Sequence, residues 1–137
     1  MNRVVHFEIP ADDIERAQKF YNETFGWKLV PMGGEYGNYV VVQTGPTDEQ
    51  GMPKESAFIN GGLFKRDPSA KAPILVLGTD DCDGTVKKAE EAGGKLIGEI
   101  LDIPNVGRYA RVQDPEGNVI AIIKPIMPGN PQAQILP

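Results

Sequence analysis

The chain has 137 residues, a formal net charge of -5, and 40% hydrophobic against 24% charged residues. That length builds one ordinary domain, or two small fused modules, around a real core. The acidic balance offers no basic stripe for a phosphate backbone, and no apolar run approaches the roughly 20 residues of a spanning helix, so neither nucleic acid nor membrane is the expected partner. No charged-then-apolar leader opens the sequence, and the single cysteine, Cys82, cannot form an intrachain disulfide. Both features point to a reducing cytoplasm.

Val4 to Pro10 reads as a strand. Alternation puts Val5, Phe7 and Ile9 on a core face, and Val4, His6 and Glu8 on the other. A helix follows, with Asp12 as N-cap and Glu15 three residues on in a capping-box-like pair. Ile14, Ala17, Phe20, Tyr21 and Phe25 (or Thr24) fall near one face at helical spacing. Gly26 ends the helix as a left-handed C-cap. Trp27 to Pro31 and Tyr36 to Thr44 are the next strands, the latter with the β-rich run Tyr39-Val40-Val41-Val42. Gly45 to Ser56 is a polar, glycine- and proline-punctuated loop. Ala57 to Phe64 is a fourth strand, interrupted by glycine.

After the polar connector Lys65 to Ala72 the pattern restarts. Pro73 to Thr79 is a strand, Asp80-Asp81 caps a helix, and Val86, Ala89 and either Ala92 or Cys82 mark its apolar face. Gly93-Gly94 closes it. Strands at Lys95 to Ile103, Arg108 to Gln113 and Asn118 to Lys124 follow, the last two joined by the hairpin turn Asp114-Pro115-Glu116-Gly117. A shift of 68 residues superposes Asp12 on Asp80, Asp13 on Asp81, Gly26 on Gly94 and His6 on Ile74 without a gap. Each half reads β-α-β-β-β, and similarity at a fixed offset marks a duplicated unit. The fold class is α+β: one domain over residues 1–125, with modules at 3–66 and 72–125, and a proline-rich tail at 126–137.

His6-Phe7-Glu8-Ile9-Pro10, Ala17-Gln18-Lys19-Phe20-Tyr21 with Phe25-Gly26-Trp27, Ala92-Gly93-Gly94-Lys95, and Asp114-Pro115-Glu116-Gly117-Asn118 together carry a resemblance to the vicinal oxygen chelate superfamily. That group holds glyoxalase I, extradiol dioxygenases and bleomycin-binding proteins. The sequence most resembles its small glyoxalase/bleomycin-resistance-like members. The resemblance implies two βαβββ modules forming a U-shaped cup. It also implies metal ligands on the first and last strands of each module, facing into the cup. Mapped onto this chain, those positions fall on His6, on Ile74, on Ala121 and near Asn60-Gly61-Gly62. Ile74 and Ala121 cannot bind a metal, and asparagine is a weak neutral ligand.

His6 and Glu8 are the candidate catalytic pair. They share a strand face roughly 7 Å apart at the backbone, so both side chains can reach one ligand. Tyr39, Asn60, Tyr109 and Arg111 are the candidate ligand-binding residues; Tyr109 and Arg111 share a face by alternation. The functional reading is a small-molecule-binding protein of unassigned reaction, without the superfamily's full metal site. No cofactor is expected. The first alternative is a metal-dependent lyase, isomerase or dioxygenase of the glyoxalase type, holding Zn, Ni, Mn or Fe through His6. The second is a non-catalytic interaction module. Open sheet edges point to a homodimer. Cys82 and the acids around it, at a helix start, read as a buried apolar residue and capping groups.

Overall fold

The structure is a computed structural model that describes residues 1–126. The expected tail therefore lies, from residue 127 on, outside the described residues. The elements run β1 (Val4–Ala11), α1 (Ile14–Phe25), β2 (Lys28–Pro31), a single 3-10 turn (Gly34–Tyr36), β3 (Val40–Gln43), β4 (Gly61–Lys65), β5 (Ile74–Gly78), α2 (Cys82–Glu91), β6 (Lys95–Ile103), β7 (Gly107–Gln113) and β8 (Val119–Pro125). Each half is β-α-β-β-β. Among the described residues no helix is long and apolar enough to cross a membrane.

The strands form one eight-stranded sheet in the order β2-β3-β4-β1-β5-β8-β7-β6. In each module the first strand pairs parallel with the last, β1 with β4 and β5 with β8. The modules then join through one antiparallel ladder, β1 on β5. That ladder brings the first strands of both repeats to the centre of the sheet.

Both helices lie on one face. Ile14, Ala17 and Tyr21 of α1 pack on Val40, Val42, Leu63, Phe7 and Ile9. Cys82 and Val86 of α2 pack on Ala110, Val112 and Ile122. The opposite face forms the cup. Its floor is a third cluster: Val41, Phe64, Ile74, Val76, Val106, Ala121 and Ile123, with Tyr39 and Tyr109.

Three local expectations are corrected. The N-cap of α1 is Asp13, whose carboxylate accepts the Arg16 N–H at 3.0 Å. Asp12 instead pairs with the Arg66 guanidinium, 3.0 Å away. Val5 does not share the face of Phe7 and Ile9; the β1–β5 register shifts between Val4 and His6, and Val5 packs on the cup-side cluster. A bulge of this kind reverses the side-chain alternation locally. Finally, Phe20 and Phe25 are not core: they are 52% and 58% exposed. They join Tyr21 and Trp27 in a ring cluster on the surface, with Tyr21 stacked on Trp27 at 5.0 Å.

Two irregular segments line the cup. The connector between the modules folds back onto it, so that Ala70 is 1% exposed within the floor cluster. The loop after β3 is held by Asp48, whose carboxylate accepts the backbone N–H groups of Gln50 and Met52, both at 2.9 Å.

Candidate functional site

His6 and Glu8 project from β1 into the cup, as alternation requires, and each is 1% exposed. Polar groups removed this far from water need partners. The Tyr39 hydroxyl, just before β3, lies 3.0 Å from His6 Nε2; the imidazole tautomer decides which of the two donates. Tyr109 on β7 donates to Glu8 Oε1 at 2.5 Å. Arg111, two residues along the same face, donates from Nε to the Tyr109 hydroxyl at 3.1 Å. Its Nη1 donates to Asp67 at 3.1 Å and to the Ser69 hydroxyl at 3.2 Å. The guanidinium also lies 5.0 Å from the centre of the Phe64 ring. Ser69 donates in turn to Asp67 at 2.7 Å.

Five of the six candidate residues thus fall in two hydrogen-bonded chains, His6–Tyr39 and Glu8–Tyr109–Arg111, which meet where the Tyr39 phenol interacts with the Glu8 carboxyl, so the network spans both modules and the connector. Asn60 is not among them. It is buried before β4, accepts the Thr44 N–H at 3.0 Å and donates to the Thr47 hydroxyl, so it pins the loop after β3. Sequence reasoning missed Asp67 and Ser69. The Asp67-Pro68-Ser69 turn signal is visible in the connector, but nothing local says that it will face Arg111, 44 residues away.

Burial is the main influence on the network's protonation. It pushes the Glu8 carboxyl above the ordinary carboxylate range, against the Tyr109 hydrogen bond and the Arg111 charge. It pushes the Tyr39 and Tyr109 phenols up as well, with the Glu8 charge adding to the effect. Burial opposes the Arg111 charge, but its contacts with Tyr109, Asp67 and Glu8 outweigh that and raise its pKa. At Asp67 slight burial is outweighed by hydrogen bonds from Ser69 and Arg111, which hold the carboxyl below its usual value. Cys82 lies outside the cup; burial and its acidic neighbours push its thiol up to about 11, so it stays protonated.

The missed residue with the clearest geometry is Gly62. It pairs with Glu8 across the β1–β4 ladder and faces the cup. A Cβ added there would fall 1.7 Å from the Tyr39 hydroxyl oxygen. Its neighbour Gly61 faces the other way, where a Cβ would strike the Phe7 ring at 2.3 Å. In module two Ala121 pairs with Val76 as Gly62 pairs with Glu8, so Gly62 and Ala121 are equivalent positions.

The four positions that the family resemblance assigns to metal ligands are therefore His6, Gly62, Ile74 and Ala121. Only the first has a donor atom. Among the described residues no three His, Cys, Asp or Glu side chains are placed to share an ion. The donor set does not fit the superfamily's metal, which wants several imidazole or carboxylate ligands with positions left open.

Against the cup-side cluster lies a cavity of about 210 Å³, which no residue of the network lines. Val30, Met32, Tyr36, Val41 and Gln43 form its wall, residues 48–51 of the loop its rim, and Asn105 of module two its far side. Its wall residue Val41 belongs to the same cup-side cluster as Tyr39, which precedes β3 by one residue.

Comparison with known proteins agrees with this architecture. The family model described as bleomycin resistance protein-like N-terminal matches residues 3–45. A glyoxylase-like domain-containing protein of Didymella fabae is 33% identical over 118 residues, covering 84% of this chain and 88% of that protein. A putative glyoxylase of Mycobacterium bovis is 50% identical over 46 residues, 34% of this chain but only 18% of that longer protein. Among solved structures, a methylmalonyl-CoA epimerase of Streptomyces coelicolor superposes with a TM-score of 0.65 over 93% of this chain and 99% of that one. At 16% identity it speaks for the fold alone. With the repeated βαβββ units, the shared cup and a full-length glyoxylase-like relative, the chain belongs to the vicinal oxygen chelate superfamily, among its glyoxalase- and bleomycin-resistance-like members.

Proposed function

We propose that the chain binds a small, largely apolar molecule in the cup and does so without a metal. The observation that carries this reading is the Tyr39 phenol seated over Gly62. It fills one ligand position with a protonated hydroxyl, while Ile74 and Ala121 present only carbon from the other module. Without a metal the cup has no strong electrophile to stabilise an enolate. A His–Glu acid–base pair would supply only about 10²–10⁴-fold acceleration. His6 and Glu8 are also buried and hydrogen-bonded to the two tyrosines, so they bear on a ligand in the cavity only indirectly, by positioning Tyr39 next to the Val41 wall. Binding, or at most an undemanding proton transfer after Tyr39 swings aside, is the chemistry that remains.

The test is a thermal-shift screen of apolar and aromatic small molecules on the full chain, repeated on Met32→Trp. That substitution fills the cavity from a half-buried wall position. Hits should lose their shift in the variant while its circular dichroism stays native; hits unaffected by the filled cavity reject the cup as their site. His6→Ala should weaken retained hits several-fold by freeing Tyr39. Elemental analysis tests the metal-dependent alternative: stoichiometric Zn, Ni, Mn or Fe in purified protein rejects the metal-free reading.

The proposal includes a homodimer. The sheet ends on β2 and β6, and the ring cluster of Phe20 and Phe25 stays half exposed. Light scattering at micromolar concentration checks this, and a monomer rejects it. The same cluster is the observation that favours the interaction-module reading. A protein partner whose binding is abolished by Phe25→Ser, with no small molecule stabilising the chain, would support that reading instead.

A further inference from the structure

We infer that the ligand of the cup is an organic cation of the arylalkylamine class, an aromatic ring carrying an alkylammonium group, and not an anion. This rests on the cup-binding reading and adds to it the charge of the molecule bound. The cavity lining holds two acids, Asp48 and Glu49, and no Lys, Arg or His. Among the described residues neither acid is paired with a cation; the ion pairs of the chain lie at Arg66, Arg108 and Arg111. The guanidinium nearest the cup floor is not available to an incoming anion. Arg111 is committed to Tyr109, Asp67 and Ser69, and its side chain is only 17% exposed. An entering carboxylate or phosphate would give up its hydration and meet two like charges, on a chain whose net charge is already -5. An entering ammonium meets the reverse.

The wall supplies the rest of the recognition. Val30, Val41 and Met32 offer aliphatic and thioether contact, and Tyr36 adds an aromatic ring, the side-chain type whose face attracts cations. Gln43 and Asn105 provide neutral amides for one or two hydrogen bonds. The volume sets the size. An apolar cavity of about 150 Å³ holds a benzene ring. This cavity, about 210 Å³ and open on one side, has room for such a ring with its side chain reaching the rim.

Calorimetric titration of the full chain with two matched sets tests the inference. Each set keeps the ring and changes the charge: phenethylamine, phenethyl alcohol and phenylacetate, then tryptamine, tryptophol and indole-3-acetate. The amines should bind roughly tenfold tighter than the alcohols, the acids weaker than both, and high salt should compress the difference. The double variant Asp48→Asn with Glu49→Gln should remove the difference between each amine and its alcohol. An acid that binds as tightly as its amine, or a preference that survives the double variant, overturns the charge assignment while leaving the cup as a binding site. No binding by any of the six overturns it too. Binding that persists in Met32→Trp instead overturns the cup reading itself.

Discussion

Tyr39 holds its place because Gly62 has no side chain. The phenol is 7% exposed, and its oxygen occupies the space that any other residue at 62 would fill with carbon. A double-mutant cycle reads this directly. Gly62→Ala should cost about 2–3 kcal/mol by overpacking, whereas the same change in a Tyr39→Ala background should be neutral or slightly favourable, since glycine is a poor strand residue. Additive effects in urea denaturation would mean that Tyr39 is not seated there. Glu8 gives a second prediction. Its carboxyl ordinarily titrates at 4.5 and is raised in the fold by burial, against the Tyr109 hydrogen bond and the Arg111 charge. The folded chain thus holds this proton more tightly than the unfolded one. The stability gained is full below the unfolded value and is lost as pH rises through the folded value. Asp67 and Asp114, both lowered, act in the opposite sense and lose their contribution as pH falls. Glu8→Gln should therefore gain stability relative to the parent as pH is raised from about 5 to about 8, and a pH-independent difference would refute the assignment. Of this site the sequence made the facing directions legible: His6 with Glu8, and Tyr109 with Arg111, by alternation alone. It hid the pairings. Tyr109 and Glu8 are 101 residues apart and are brought together by the β1–β5, β5–β8 and β7–β8 ladders.

Among the elements, local chemistry made the helices and most strands readable, because caps, glycines and alternation act within a few residues. The errors occur where two local solutions compete. Asp12 and Asp13 are both good caps, and the salt bridge to Arg66 takes Asp12 out of that role. The Val5 reversal comes from a bulge that no residue type announces. Phe20 and Phe25 have helical spacing, yet Ile14, Ala17 and Tyr21 already cover the sheet beneath α1. The connector is the element whose role was least legible and is most easily tested. Arg111 ties Asp67 and Ser69 to β7, and Ala70 is buried below them. Arg111→Ala removes those charge-assisted bonds and should cost about 1–3 kcal/mol. It should also free the segment locally, so that trypsin cleaves after Lys65, Arg66 or Lys71 about tenfold faster than in the parent. Unchanged cleavage would show that the remaining contacts, the buried Ala70 and the Arg66 bonds to Asp12 and to the Lys71 carbonyl, hold the connector down without Arg111.

For the whole molecule the question is whether two similar halves behave as one unit. Each module alone is about 60 residues, a size at which burial barely offsets chain entropy. Each also lacks half of the cup floor, since Tyr39 and Val41 of the first module pack with Ile74, Tyr109, Ala121 and Ile123 of the second. A module that detached would break the β1–β5 ladder, expose that cluster and strip the Glu8 carboxyl of its Tyr109 hydroxyl, while gaining only orientational freedom. The losses are many contacts against one gain, so the halves should unfold together. Trp27 is the sole tryptophan and sits in module one, which makes its fluorescence a reporter of that half. Far-UV circular dichroism reports both. Their urea midpoints should coincide, and Tyr109→Phe in module two should shift the Trp27 midpoint as far as it shifts the dichroism. If fluorescence instead holds its parental midpoint while dichroism moves, the shared floor does not couple the modules. A ligand in the cavity, which touches module two only at Asn105, could then stabilise one half without the other.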